Sequence, residues 1–271
     1  MSLVLLTGTG PEHRYVARRI ADAFPDQLQA IIIAEPSHPP LARVRTLWRR
    51  YSVPQLVSRI LARAFRSMTR RDETRARVYE ETLFPAGTDS SLPRPDLIRI
   101  VPSHNGEDCL RLLGAVNPAV IAVYGTAMIR SRVVAAARTA VLNMHTGLSP
   151  RYRGSDTVFW PLHNEEPEWI GVTVHVLDER LDAGPILATA RPTIAADDTE
   201  DTLFAKCVRV GADHYVQAIG RALHGDVRGH VQELASGREY RFVDRTLSAE
   251  LRVDRLLRGG LLRRYTERNG A

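Results

Sequence analysis

Lysine is almost missing from this sequence: Lys206 is the only one among 37 basic residues, and all the others are arginine. GC-rich coding bias explains such a shortage, since it replaces one cation with the other. The formal net charge of +6 still leaves room for an acidic partner, such as phosphate or a nucleotide. Cysteine is scarce too. Cys109 and Cys207 stand apart, which excludes a disulfide framework and a cysteine-based zinc site and points to a reducing cytoplasm. No stretch of about 18 apolar residues occurs, so no helix is expected to span a membrane. The apolar run in MSLVLLTGTG is too short for a signal peptide. A G-x-S-x-G elbow is absent, which argues against a Ser-His hydrolase. His104, His145, His163 and His175 lack paired ligand spacing, so structural or surface roles suit them better than zinc, and no metal is expected.

What is present reads as a soluble α/β chain of 271 residues, with 44% hydrophobic and 25% charged side chains. LVLLT (3–7) is an apolar run stopped by Gly8 and Gly10. PEHRYVARRIADAF then has helical spacing, and LQAIIIA (28–34) is a second strand. Strand, helix and strand at this spacing predict a parallel sheet with crossover helices. Further strands are expected at LIRIVP (97–102), AVIAVYG (119–125), TAVLNMH (139–145), GVTVHVLD (171–178) and GPILATARPTI (184–194). Helices are expected over GEDCLRLLGAV, 131–138 and 155–165, with a long one after Asp198–Thr199 and a last one over 247–265. SPRYRG reads as a loop, and the chain beyond about residue 224 as polar and irregular. The fold expected is therefore a Rossmann-like, mostly parallel sheet with helices on both faces.

Residues 41–82 differ from their surroundings. Arginine recurs there from Arg43 and Arg45 to Arg70 and Arg71, with Leu56, Ile60, Leu61 and Phe65 at helical spacing. The segment reads as two amphipathic helices broken near Pro54, inserted into a domain of residues 1–224. Residues 225–271 form a C-terminal extension. The basic helices could dock an acidic substrate, RNA or an anionic membrane face. Packing of the apolar face on the core, with the arginines in water, is the simpler reading.

The chemistry concentrates in NMHTGLSPRYRG (143–154) and LDAGP (181–185). Asn143 and His145 are two apart at the end of a strand, so their side chains share a face. At the carboxyl end of a parallel sheet, that face opens into the usual ligand crevice. An amide is a fixed donor, and an imidazole can donate, accept or shuttle a proton near neutral pH. Asp182 lies in a glycine-bearing loop that can aim a carboxylate inward. Spacing alone favours a satisfied turn pair for Asn143 and His145.

Three ordered blocks, N-x-H-x-G-x-S-P-x-Y-R-G, then G-V-T-V-H, then L-D-A-G-P-I-L, resemble the folate-dependent formyltransferase family. That family includes glycinamide ribonucleotide transformylase, methionyl-tRNA formyltransferase and sugar N-formyltransferases. The resemblance covers about residues 96–220, and the first 35 residues loosely. It implies Asn143, His145 and Asp182 as the catalytic set and 10-formyltetrahydrofolate as formyl donor. By the same resemblance the pterin is held by two loops, one of Tyr124, Gly125, Thr126, Ala127, Met128 and Ile129, the other starting with Val176, Leu177 and Asp178 and running to Asp182. The chain departs from the pattern at Pro118–Ala119, where the family often has Pro-Asp, and at Ser149, where many relatives have leucine.

A dinucleotide site at TGTGPEH is disfavoured, because Arg14 and Tyr15 stand near the place of the third glycine. A tRNA-formylating relative carries a C-terminal β-barrel, and the residues after 224 have a poor strand pattern. The expected acceptor is therefore a small-molecule amine, with an amino sugar nucleotide leading and Tyr152, Arg153 and Trp160 lining its pocket. A core-packed Trp160 is equally open. The alternatives are a methionyl-tRNA formyltransferase-like enzyme, or a nucleic-acid-binding protein using the arginine-rich segment. The expected setting is the cytoplasm, and a homodimer through the C-terminal region is one assembly open to it.

Overall fold

The computed structural model describes residues 1–35, 53–68, 71–177 and 184–270. Nine strands are found among the described residues: β1 Leu3–Thr7, β2 Leu28–Ala34, β3 Ile98–Val101, β4 Val120–Tyr124, β5 Ala140–His145, β6 Tyr152–Gly154, β7 Val172–Val176, β8 Ile186–Ala190 and β9 Arg238–Tyr240. The helices are α1 Pro11–Ala23, α2 Val53–Met68, α3 Arg71–Leu83, α4 Glu107–Val116, α5 Ser131–Val134, α6 Phe159–His163, α7 Glu200–Leu223, α8 Leu247–Arg258 and α9 Leu261–Asn269.

The main sheet runs β3-β2-β1-β4-β5-β7-β8. Its first five strands are parallel, and β7 turns antiparallel to both β5 and β8. The chain leaves β1 toward β2 on one side and returns to β4 on the other, so the loops after β1 and β4 diverge and leave a crevice between them. This is the α/β architecture expected from the strand and helix spacing.

Strand alternation sorts the core into two layers. Leu3, Leu5, Ile31, Ile33, Val120, Ala122, Leu142 and Met144 face the layer that holds buried residues of α1, α3 and α7. Val4, Leu6, Ala30, Ile32, Ile121, Val123 and Val141 face the layer holding Cys109 and Leu113 of α4 and Val133 of α5. With both faces covered, the central strands are apolar throughout rather than alternating. Helix α1 starts cleanly because Pro11 needs no hydrogen-bond partner and Glu12 sits in the positive first turn. Helix α7 opens on a capping box between Thr199 and Thr202.

Several local expectations are revised. The helix placed at 155–165 is confined to α6, because Asp156 adopts a left-handed φ of 56° and Glu165 one of 60° on either side of it. The helix placed at 131–138 stops at Val134. The single C-terminal helix is two, split at Gly259–Gly260, where Gly260 has φ 78°. Pro54 lies in the first turn of α2, where proline is tolerated, and the helix expected before it lies outside the described residues. The part of the arginine-rich segment from 41 to 52 lies outside the described residues. Within it, α3 packs on α7, with Tyr79 stacked on Phe204 at 4.9 Å, whereas Ile60 and Leu61 of α2, expected on a core-packed face, are exposed.

The chain read as loop and irregular tail contains a second, two-stranded sheet. There β6 runs parallel to β9. Around it Tyr152, Phe159, Trp160, Leu203, Cys207, Tyr240, Val253, Leu261 and Leu262 form a further buried cluster. The last 47 residues thus share a core with the segment that follows β5.

Candidate active site

Asn143 and His145 lie at the carboxyl end of β5, both half-buried and on the face of the sheet shared with Val141. Antiparallel β7 brings partners to that face. His145 lies opposite Thr173, and Asn143 opposite His175. The Asn143 amide nitrogen is 3.1 Å from His175 Nε2. His175 Nδ1 is 2.9 Å from the Val176 carbonyl, which can only accept, so Nδ1 donates and Nε2 accepts from Asn143. One N–H of Asn143 is thereby held by His175. His175 is almost completely buried.

Thr173 anchors the next stretch of chain. Its hydroxyl donates to the Gly147 carbonyl at 2.7 Å and accepts from the Ser149 amide at 3.0 Å. The Thr157 hydroxyl bonds the Thr146 carbonyl from the other side. A Cβ on Gly147 would lie 2.8 Å from Thr157 Oγ1 and 2.9 Å from His145 Nε2, so a side chain there would displace the imidazole. Only glycine fits between these two neighbours.

From beneath, Tyr215 of α7 inserts its hydroxyl between β4 and β5. It accepts from the Val123 amide at 2.7 Å and is 2.8 Å from the Leu142 carbonyl. Burial pushes this phenol well above its ordinary range. It therefore stays protonated and ties the two strands together next to Asn143.

The loop after β4 borders the same crevice. Gly125 takes φ 62°, Ala127 and Met128 are exposed, and Ile129 is buried. Asn105 pins this loop by donating to the Met128 carbonyl (2.9 Å) and accepting from the Arg130 amide (2.8 Å). Tyr124 points to the opposite face, where His13 packs against its ring at 5.3 Å. The Gly8 amide donates to His13 Nδ1 at 3.1 Å, which leaves the proton of the neutral ring on Nε2, 3.4 Å from Glu12 Oε1. Burial lowers the His13 pKa, against the opposing pull of Glu12. On the β7 side, Val176 and Leu177 are half-buried, and the Leu177 amide donates to the Val141 carbonyl at 2.7 Å.

The structure thus brings Asn143 and His145 together with the first loop and with the start of the second. Asp178 and Asp182 lie outside the described residues. The expected acceptor contacts divide. Tyr152 and Trp160 are buried in the second core, where both stack on Tyr240 and Tyr152 also bonds Glu166 at 2.6 Å. These are packing positions with almost no surface left for a ligand. Arg153 is half-buried.

The sequence reading missed His175, Thr173, Thr157 and Asn105. The alternation in G-V-T-V-H already puts Thr173 and His175 on one face. What joins that face to Asn143 is the pairing of β7 with β5.

Residues 101–219 match the family model described as formyl transferase. A methionyl-tRNA formyltransferase from Limosilactobacillus fermentum is 32% identical over 47% of this chain and 42% of its own length. The chain spans about half the length of the curated relatives it matches. An N-formyltransferase from Helicobacter canadensis, solved with folinic acid and dTDP-3-aminofucose, superposes with a TM-score of 0.55 at 18% identity, over 90% of this chain and 72% of that one. A phosphoribosylglycinamide formyltransferase from Anaplasma phagocytophilum gives 0.56 at 14% identity, over 89% and 98%.

Proposed function

We propose that this chain, whose residues 101–219 match the formyl transferase family model, is a folate-dependent formyltransferase that transfers a formyl group from 10-formyltetrahydrofolate to the amine of a small molecule. The observation that carries the reading is the pair Asn143 and His145, side by side at the mouth of the crevice, with the amide oriented by His175. A bound formyl-folate supplies a formyl carbon already activated on nitrogen. Asn143 offers its other N–H to the formyl oxygen, where negative charge builds as the amine attacks. His145 donates a second hydrogen bond there when protonated. Asp182 holds His145 in the charged form or orders a water that takes the amine proton. No covalent link to the protein is needed.

The residues bordering the crevice suit a flat heterocycle. Gly125 and Ala127 bring main chain close without bulky side chains, while the half-buried Leu177 supplies an apolar wall. These two loops would hold the pterin.

The acceptor we propose is an amino sugar nucleotide. The arginine-rich composition suits its phosphates, Arg153 lies in the segment after β5, and a structural neighbour was solved with such a nucleotide. A tRNA acceptor is the second reading, favoured by the identity to methionyl-tRNA formyltransferases. Turnover of 10-formyltetrahydrofolate with a panel of amino sugar nucleotides, and separately with methionyl-tRNA, tests both. Formylation of a sugar amine supports the first reading, and formylation of the tRNA alone replaces it. Asn143→Ala should lower kcat by roughly 10²–10³, the usual loss for one such donor. His145→Ala and Asp182→Ala should be comparably damaging. Near-normal rates in all three would remove the assignment.

A further inference from the structure

The tail after residue 224 reaches the candidate site through one buried guanidinium. Arg245 precedes α8 and is almost fully buried. Its Nη1 donates to Asp156 Oδ1 and Glu200 Oε1, both at 2.8 Å. Its Nε donates to Glu250 Oε1 at 2.8 Å, and its Cζ lies 4.0 Å from the centre of the Phe159 ring. Arg245 therefore joins three carboxylates from three separate stretches of chain. A partly buried carboxylate that loses this guanidinium is left at a cost, although Glu200 also has Arg75 at 3.9 Å, so Arg245 ties the three stretches together.

Asp156 is the member that matters for chemistry. It adopts a left-handed backbone conformation, and its Oδ2 has no partner among the described residues. The next residue, Thr157, bonds the Thr146 carbonyl and flanks the Gly147 position against which His145 Nε2 rests. The path from Arg245 to the imidazole is short and continuous: guanidinium, Asp156, Thr157, Thr146–Gly147, His145. The tail grips the start of the same segment as well, because the Arg238 amide donates to the Arg151 carbonyl and the Ser155 amide to the Tyr240 carbonyl.

We infer that Arg245 is a positioning residue that sets the orientation of His145 through Asp156 and Thr157. The inference rests on the proposed formyl transfer only for its kinetic readout, so its test includes one that needs no turnover. In full-length protein labelled with ¹⁵N-histidine, Asp156→Asn and Arg245→Met should shift the His145 ring resonances and change their titration. Arg252→Gln serves as the control: it removes a different tail contact, the 2.8 Å bond to Glu165, and leaves the loop alone. It should leave the His145 signals in place. In turnover, Asp156→Asn should lower kcat roughly tenfold with KM for the folate within about threefold, and Arg245→Lys should recover part of the loss that Arg245→Met causes. Unmoved His145 resonances in folded Asp156→Asn would overturn the inference, as would an equal shift in Arg252→Gln. If the wild type transfers no formyl group while the resonances behave as stated, the functional reading falls and the positioning role stands.

Discussion

At the scale of single residues, several polar groups beside the crevice take partners brought from elsewhere in the chain. Tyr215 is the clearest case. Its hydroxyl serves the Val123 amide and the Leu142 carbonyl, both inside the sheet and away from water. Tyr215→Phe should destabilise the protein by about 1–3 kcal/mol, the cost of leaving buried backbone groups without a partner. A shift of the urea midpoint at unchanged m-value is the measurement, and an unshifted midpoint would show that water takes over the role.

Two histidines, His104 buried and His13 half-buried, set a pH response. Burial lowers the pKa of His13 and of His104 below the ordinary 6.5. For His104, the Ile32 carbonyl, 3.0 Å from Nε2, opposes the shift, and His13 adds to it. Between the lowered values and 6.5 the unfolded chain binds protons that the folded chain does not. Stability therefore rises with pH across that window, is complete above it, and declines as pH falls below 6.5. Melts between pH 5.5 and 7.5 should show the melting temperature dropping on the acid side. His104→Gln should reduce the slope.

At the scale of elements, the register of β7 against β5 and of β6 against β9 decides what meets what. The first pairing brings His175 to Asn143 and Thr173 to the loop that follows His145. The second requires Gly154 at φ 90°, where a Cβ would lie 2.2 Å from the Tyr240 carbonyl oxygen. Gly154→Ala should cost at least about 1–3 kcal/mol from the backbone conformation alone, with the clash in addition. Chemical denaturation checks it, and a stable, unshifted variant would contradict the β6–β9 pairing.

The strands β1 to β5 were legible beforehand because continuous apolar runs between glycine and proline stops have few other solutions in a chain of this length. Strands β6 and β9 were not, because three-residue strands carry no periodicity. The extents of α6 and of the C-terminal helices were misread for a different reason. Left-handed turns at Asp156 and Glu165 around α6, and at Gly260 between α8 and α9, leave no trace in an apolar pattern.

At the scale of the whole molecule, the C-terminal 47 residues are structural partners of the candidate site. Tyr240 lies between Tyr152 and Trp160, and Leu261 and Leu262 complete the cluster around Phe159 and Cys207. Deleting residues 225–271 would expose these aromatic rings and leave Asp156, Glu200 and Arg75 without Arg245 among them. The expected result is an aggregating protein with red-shifted tryptophan emission and no cooperative melt. A soluble truncated chain with a sharp transition would contradict that role for the tail. The arginine-rich insertion is anchored in part to the same body: Arg75 of α3 bonds Asp201 of α7 at 2.8 Å.

Read alone, the chain determined the α/β class, the run of parallel strands, and the placement of Asn143 and His145 on one face at a strand end. Each of those follows from local periodicity, and local periodicity survives in one dimension. The partners of that pair were decided only in three dimensions. His175 holding the amide, Thr157 beside the imidazole and Arg245 behind Asp156 depend on strand register and on contacts between residues 11 to 89 positions apart, which no pattern of neighbours along the chain encodes.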